Sequence, residues 1–354
     1  MSIIDRMLEH PSYGYTRDQK LYVPTNAEIA KEFFSKINPM KRKNWLAFTG
    51  IMANVLLLGV LGLHFALYFN WMTIPILFVF GFFIMSYHLN FWVHRYCAHK
   101  AFQFSNDIAR SICRNLTIKI VNEEVYTISH FVHHQYSDQP SDPYNAKAGW
   151  LYCFLAEVNH QGIRQDLTEE EYNHLLRLMK HTGVQANSYK QYLKWGSICH
   201  PFFTLSHYLL NWAFWFSVFF LIGGMSLATV FFGAAGMWGV LNKNFAYSAH
   251  GAGTDRKKPG IDFYQEDNSR NITWSGITSG EWHNNHHLYP TSARSGFQSY
   301  QVDVPWLLVY GLYKIGMISS YKNSKSQFDK MLIQTKKVSP EETKQTINSH
   351  STSA

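Results

Sequence analysis

Two long stretches without a charged side chain most constrain what this chain of 354 residues can fold into. Residues 44–94 and 195–242 contain no Asp, Glu, Lys or Arg. One membrane-spanning helix needs about 20 apolar residues, so each stretch can form two helices joined by a tight turn. We therefore expect an all-α integral membrane protein with four transmembrane helices in two hairpins. The expected spans are about 46–68, 72–93, 200–221 and 225–243.

The basic residues indicate how these helices would be oriented. All 32 Lys and Arg residues lie outside the two charge-free stretches, and the connections at 69–72 and 223–225 carry none. Because Lys and Arg collect on the cytoplasmic side, the pattern predicts cytosolic termini, in a bacterial inner membrane or the endoplasmic reticulum. We attribute the net charge of +8 to this topology and to attraction for lipid headgroups. No Lys/Arg-rich block or motif indicates nucleic-acid binding.

The chain divides into three regions by composition. Residues 1–43 are a polar, interfacial leader with an amphipathic helix over 27–37, capped by Thr25 or Asn26. Residues 44–318 form the main domain, in which two cytosolic blocks, 94–197 and 244–318, follow the hairpins. Residues 319–354 are rich in Lys, Ser, Thr and Gln, so we expect a disordered tail.

Shorter patterns in the cytosolic blocks predict two more helices. Thr168 and Glu171 have the spacing of a capping box, which predicts a helix start. The apolar run 304–318 is too short to span a membrane and predicts an interfacial helix. The four cysteines are far apart and are expected to be reduced thiols.

Three histidine clusters carry the chemistry of this sequence. The pattern HxxHH occurs twice, and on a helix its three residues share one face, as suits metal ligation. An HxxxxH cluster directly follows the second expected span; on an α-helix that spacing separates the two side chains by about 140°, so alone it is a weak signal. The clusters comprise His94 and His99, then His130, His133 and His134, and finally His283, His286 and His287.

His250 follows the fourth expected span and brings the candidate ligands to nine. A tetrahedral zinc ion takes at most four protein ligands, so nine histidines predict two metal ions of higher coordination. Imidazole suits Fe, Zn, Cu or Ni, but oxygen chemistry favours iron because zinc has no accessible redox states. We expect a cytosolic helical cap to hold this di-metal site beside the membrane.

Together these features resemble the membrane fatty-acyl desaturases, in particular the acyl-CoA Δ9-type enzymes. The similarity extends over about 45–318 and rests on specific local motifs. These are His94-Arg95 with His99-Lys100, 133–138 with 141–143, 280–287 and 290–294. In that family the nine corresponding histidines hold two iron ions.

The resemblance implies an oxidoreductase whose two irons use O2 to remove hydrogen from adjacent methylenes of a long acyl chain, leaving a cis double bond. The substrate would be an acyl-CoA or another acyl-lipid. Two electrons would come from a separate donor of ferredoxin, rubredoxin or cytochrome b5 type, with its reductase. No cytochrome b5 module is recognisable in the sequence, because His10-Pro11 lacks the His-Pro-Gly-Gly core.

The sequence departs from the family at Ala246, where the family usually has an Asn that reaches one metal through water. Asn268 and Asn271 are candidates to replace it, or one metal keeps an open position. Lys243 also stands where an apolar tunnel wall is expected.

Several neighbouring residues are candidates for supporting roles. Asp138, Asp142 and Glu281 are the carboxylates closest in sequence that could orient ligand imidazoles. Arg95 and Lys100 either contact an acidic headgroup or a coenzyme, or are plain interfacial basic residues. The histidines in or beside the apolar stretches are interpreted as neutral, hydrogen-bonded residues: His64, His88, His200 and His207.

Two other functions compete with a desaturase. A di-iron hydroxylase of lipids or alkanes uses the same kind of centre, although alkane hydroxylases have differently spaced histidine boxes. A metal transporter would need polar or charged groups near the middle of the bilayer, whereas these stretches contain no charged residue.

Overall fold

The computed structural model describes residues 3–156 and 162–335, which are mostly helical. The helices are α1 (Asn26–Lys36), α2 (Trp45–Leu63), α3 (Thr73–Ile84), α4 (Asp107–Arg114), α5 (Glu123–Tyr136), α6 (Trp150–Phe154), α7 (Glu169–Met179), α8 (Tyr189–Trp195), α9 (Pro201–Leu241), α10 (Phe245–Ala249), α11 (Thr273–Ser279), α12 (His283–Leu288), α13 (Val304–Lys314) and α14 (Lys325–Thr335). Two π-helical segments extend α2 and α3 without a break, His64–Tyr68 and Met85–Ala98.

Three helical runs are long and apolar enough to cross a membrane: Arg42–Tyr68, Thr73–Ala98 and Pro201–Ala249. The third has 49 residues, and its backbone leaves helical geometry at Gly223 and Gly224, where φ is −147° and +65°. A positive φ is readily adopted by glycine, which has no Cβ. The expected spans 46–68 and 72–93 lie within the first two runs, apart from residue 72. The other two lie almost wholly within the third, on either side of this break.

The long helices pack closely because small residues face their neighbours. A Cβ placed on Gly236 of α9 would lie 2.7 Å from the carbonyl carbon of Leu57 in α2. Phe219 and Phe231 stack with ring centroids 4.0 Å apart and join the two halves of α9. The opposite faces expose large apolar side chains such as Val79 and Leu210, as expected for surfaces that contact lipid.

The structure is mostly helical, as expected for an all-α protein, but it also contains two short antiparallel sheets. β1 (Thr16–Arg17) pairs with β2 (Lys20–Leu21), and β3 (Phe102–Phe104) pairs with β4 (Ile318–Tyr321). The second sheet forms because Phe102 and Ile318 are both buried beneath it. It joins the segment after His99 to the end of the main domain.

The expected disordered tail is also wrong for residues 319–335, which contribute to β4 and form α14. Phe328 and Met331 of α14 are fully buried, and they belong to one apolar cluster with Leu288 and Phe297. Burial of these side chains offsets the entropy lost on ordering the segment. Residues 336–354 lie outside the described residues.

Several local predictions are confirmed. Thr25 forms a capping box with Glu28 at the start of α1, and Thr168 forms one with Glu171 at the start of α7. α13 lies within the apolar run 304–318. All four cysteines are free thiols, and all are buried.

Candidate metal centre

The π-helical segment Met85–Ala98 brings His94 and His99 to the same side of the chain. The backbone N–H of His99 donates to the carbonyl of His94 over 3.1 Å, so residues five apart lie about one turn apart. Their rings are 4.8 Å apart between centroids. The separation of about 140° expected for an α-helix is therefore wrong here, because the segment is not α-helical.

Two helices supply the two HxxHH clusters. Asn122 caps α5, its side chain accepting from the backbone N–H of Glu124 at 2.8 Å. This helix carries His130, His133 and His134. The short α12 begins at His283 and carries the third cluster, while His250 directly follows α10. All these elements meet beside the buried end of the π-helical segment.

The nine histidines divide into two groups whose nitrogen atoms converge. Within each group the candidate ligand atoms lie within 4.8 Å of one another. Both α5 and α12 contribute to both groups, so the groups are adjacent; the rings of His134 and His287, one from each, are 4.5 Å apart. The first group is His94, His99, His130, His134 and His286, and the second is His133, His250, His283 and His287.

The separations between imidazoles fit a shared cation in each group. In the first group, His286 Nε2 lies 3.0 Å from His94 Nε2 and 2.9 Å from His134 Nε2. In the second, His283 Nε2 lies 2.9 Å from His250 Nε2. Two nitrogens that each lie about 2.1 Å from one ion, at a right angle, are about 3.0 Å apart. The residues present therefore fit two metal ions.

Three carboxylates orient the second group. Asp142 lies 2.8 Å from Nδ1 of His133, and Asp138 lies 2.9 Å from Nδ1 of His250. Both were predicted as supporting carboxylates. Asp267, which was not predicted from the sequence, lies 2.6 Å from Nδ1 of His287. Asp267 precedes that histidine by twenty residues in the sequence. The contact exists only because the intervening chain folds back, so no local pattern predicts it.

These carboxylates determine which nitrogen of each ring is free. An imidazole that donates Nδ1–H to a carboxylate presents an unprotonated Nε2, the form that binds a metal. Nε2 of His287 is buried and has no hydrogen-bond partner within the described residues. Although burial opposes it, the adjacent His287 ring holds the pKa of Asp267 well below its usual range. Several converging Nε2 lone pairs are an arrangement that suits a metal ion.

In the first group, burial favours the neutral form of several imidazoles. Burial lowers the pKa of His130, His134 and His286 well below the usual range of imidazole. Glu281, which is buried, lies 3.4 Å from Nδ1 of His94 and 3.6 Å from Nδ1 of His283. This predicted supporting carboxylate therefore stands between the two groups and contacts one imidazole of each.

The two asparagines proposed to replace the family's metal-linked Asn differ. The side chain of Asn271 is engaged elsewhere, whereas the role of Asn268 stays a prediction, because its Nδ2 is buried and has no hydrogen-bond partner within the described residues. Asn268 acts through its backbone N–H, which donates to Asp138 over 2.7 Å. The side chain of Asn271 is occupied, since its Nδ2 donates to the carbonyl of Ile261 and to Oδ1 of Asn285. Ala246 lines the cavity beside the second group and offers no donor.

Both alternatives considered for Arg95, contact with a headgroup or coenzyme and a plain interfacial position, are wrong, because its side chain is buried within the protein. The side chain is buried, donates to the carbonyls of Ala293 and Gly280, and lies 2.9 Å from Asp303. Arg95 thus ties the π-helical segment to the loops on either side of α12. Lys100 is exposed with a φ of +49°, and its contact with a headgroup stays a prediction.

A cavity borders both groups of histidines. It has apolar side chains such as Leu89 and Phe245 along its walls, and His94, His130, His133, His250 and His283 also line it. Lys243 lines it too, in keeping with the position noted in the sequence. The ring of Tyr126, which the sequence analysis did not single out, stacks on His130 with centroids 5.0 Å apart. The cavity can therefore hold an apolar chain against both groups.

Two of the histidines in the apolar stretches are hydrogen-bonded, as predicted. His64 lies 3.0 Å from the hydroxyls of both Thr73 and Thr229. Nε2 of His88 accepts from the backbone N–H groups of Ile120 and Val121. These contacts explain two imidazoles within apolar helices without a catalytic role.

Comparison with known proteins agrees with this centre. A family described as fatty acid desaturase matches residues 69–310. Delta-9 acyl-lipid desaturase 2 of Arabidopsis thaliana is 27% identical over 266 residues, 72% of this chain and 76% of the relative. Delta-9 desaturase-like 2 protein of the same plant is 26% identical over 238 residues, 66% of this chain and 72% of the relative.

A third relative has a name that specifies an acyl-carrier protein. Hex-5-enoyl-[acyl-carrier protein] acetylenase of Moorena producens (strain JHB) is 28% identical over 250 residues, 65% of this chain and 71% of the relative. The family match covers more than half of the chain and includes all nine histidines. The resemblance seen in the sequence is thus confirmed, and the chain belongs to the fatty acid desaturase family.

Proposed function

We propose that this protein is a membrane desaturase that introduces a cis double bond into a long acyl chain, using O2 and two external electrons. The observation that carries the proposal is the convergence of nine imidazoles, in two adjacent groups, on one cavity with apolar walls. An acyl chain in that cavity would lie against both groups at once.

We further propose iron at both positions. The donor set is all imidazole, which iron accepts, and iron has the redox states that O2 chemistry requires. The five-histidine group would hold one ion and the four-histidine group the other. When bound, the two ions would supply the oxidising power that removes hydrogen from unactivated methylenes.

The protein's own residues would prepare that chemistry in three ways. Asp138, Asp142 and Asp267 hold the Nδ1 protons of three imidazoles and so fix the direction of each Nε2 lone pair. Glu281 places negative charge between the two groups. The apolar walls of the cavity would exclude water and align the methylenes that react.

In the membrane, we propose that the third apolar run crosses twice, turning at Gly223 and Gly224. The four resulting spans would place both termini and the metal centre in the cytosol. The substrate would be an acyl-CoA or another acyl-lipid. Electrons would come from a separate ferredoxin, rubredoxin or cytochrome b5 type protein and its reductase.

Expression in a host that lacks its own unsaturated fatty acids tests this function. Mass spectrometry of the host lipids should show new double bonds with the wild type and none with His134→Ala or His287→Ala, although both variants should remain in the membrane. His174→Ala, a histidine of α7 remote from both groups, is the matched control. Purified wild type should contain about two irons per chain.

Three results would contradict the proposal. Hydroxylated chains without new double bonds would favour a hydroxylase instead. Wild-type product from either histidine variant would refute the ligand assignment. Metal uptake into vesicles that persists in both variants would favour a transporter.

A further inference from the structure

A second cavity, which is polar, lies between α9, the start of α5 and the segment that connects α4 to α5. It shares no lining residue with the cavity beside the histidines. The charged or titratable residues that line it are Arg114, Lys119, Glu123, Cys199, His207 and Tyr208. None of these residues belongs to the candidate metal centre.

The charges in this cavity do not balance. Arg114 Nε lies 2.8 Å from Oε1 of Glu123, so those two side chains form an ion pair. Lys119 Nζ lies 3.8 Å from the same oxygen, beyond hydrogen-bond distance. Two cations thus share one carboxylate, and the cavity retains the charge of one ammonium group.

Lys119 is the most informative of these residues. It is only 1% exposed, and its ammonium group makes no hydrogen bond to any described residue. A buried cation without hydrogen bonds is costly, and burial lowers the pKa of Lys119 to about 8. An anion in the cavity would remove that cost, because it would accept hydrogen bonds from the ammonium group.

The surroundings of the cavity indicate an amphiphilic ligand. His207 and Phe203 line it and are exposed on the outer face of α9, two turns or less from the start of the helix. That position corresponds to headgroup depth in a spanning helix. An apolar groove between α2 and α9 shares Thr204 and Tyr208 with the cavity, and Leu56 lines this groove.

We propose that Lys119, together with Arg114 and His207, binds the phosphate of an anionic phospholipid whose acyl chain lies in the neighbouring apolar groove. Basic pockets beside membrane helices are suited to such headgroups. The phosphate would accept hydrogen bonds from the Lys119 ammonium group, while Glu123 remains paired with Arg114. This inference does not depend on the proposed desaturase activity.

Lipid binding to the full-length protein in detergent tests the proposal. Native mass spectrometry and thermal unfolding would be measured with phosphatidylglycerol, with phosphatidylcholine and with inorganic phosphate. Phosphatidylglycerol should bind and raise the unfolding temperature of the wild type. Lys119→Met should weaken that binding about tenfold or more, because a charge-assisted hydrogen bond is lost. Lys190→Met removes an exposed lysine of α8 and should behave as the wild type.

Each other outcome counts against the proposal. Equal binding of phosphatidylglycerol by the wild type and Lys119→Met would overturn the site. An equal effect of inorganic phosphate would overturn the lipid as its source, and an equal effect of phosphatidylcholine would overturn the preference for an anionic headgroup. Should Lys119→Met fail to fold, His207→Leu provides the same comparison, because its side chain lies on the outer face of α9.

Discussion

At the scale of single residues, the arrangement of protons around the four-histidine group is decided by carboxylates. Asp142, Asp138 and Asp267 each accept from one Nδ1–H, which leaves the three Nε2 atoms as lone-pair donors. Asp138 and Asp142 follow the last histidine of the first HxxHH motif by four and eight residues, whereas Asp267 comes from a separate loop. Removing one such partner typically weakens metal binding tenfold to a hundredfold, roughly.

Asp267→Asn should therefore lower the metal affinity of the four-histidine group by about 10–100-fold while leaving the five-histidine group loaded. The neutral amide lacks the negative charge that holds the proton of His287 on Nδ1. Iron per chain, measured against increasing chelator, should fall towards one. Asp255→Asn changes an exposed carboxylate and should keep the wild-type metal content. Equal chelator resistance of both variants would contradict this role of Asp267.

Protonation of His181 should make the free energy of unfolding depend on pH. Burial, reinforced by Lys100 and Arg110 nearby, lowers the pKa of His181 to about 4, and its Nε2–H donates to the carbonyl of Tyr96. The unfolded chain binds this proton below about pH 6.5, whereas the folded protein binds it only near 4. The free energy of unfolding should thus fall as the pH drops from about 6.5 to 4, by at most about 1.4 kcal/mol per pH unit.

Comparing His181→Gln with the wild type isolates this effect from protonation of the metal ligands. The glutamine amide can still donate a hydrogen bond but takes up no proton. The difference in unfolding free energy between the two proteins should therefore narrow or change sign between pH 6.5 and pH 4.5. His174→Gln serves as the control, and a constant difference across this range would show that His181 does not contribute.

At the scale of elements, a change in helix type is what completes the first group. An α-helical Met85–Ala98 would turn His99 away from His94, whereas the π-helical hydrogen bond between these two residues brings them together. Arg95, between them, ties the same segment to Gly280 and Ala293. The sequence shows the spacing of five residues but not the helix type, because tertiary contacts stabilise this geometry.

The close contact between α2 and α9 gives a prediction about packing. In Gly236→Ala the new methyl group would meet the backbone of Leu57, which cannot move aside as a side chain could. The variant should lose about 1–3 kcal/mol of stability. Gly62→Ala in α2 is the control, since nothing lies within 4 Å of its added methyl group. Thermal unfolding in detergent would measure both, and equal midpoints would contradict the contact.

At the scale of the whole molecule, the C-terminal helix of the described chain supports the metal centre from behind. Phe328 and Met331 of α14 lie in one cluster with Leu288 and Tyr289, which directly follow His287. β4 meanwhile pairs with β3, just after His99. Residues far apart in the sequence thus brace both histidine groups.

Phe328→Ala should lower the free energy of unfolding by about 3–5 kcal/mol, because a fully buried ring is replaced by a cavity. It should also loosen α12 and so reduce the bound iron. Ile333→Ala, on the exposed side of the same helix, should change stability by no more than about 0.5 kcal/mol. Similar losses in both variants would contradict a specific role for the buried face.

By itself, the sequence determined the family, the apolar runs and the nine histidines that converge. The length of a charge-free stretch and the spacing of histidines are properties of short segments, so the sequence alone reveals them. Only the tertiary structure decided how the nine divide into five and four, that Asp267 rather than Asn271 supports the second group, and that Arg95 is buried. It also decided that residues 319–335 are ordered. Each of these depends on which distant segments pack together, and no local pattern encodes that.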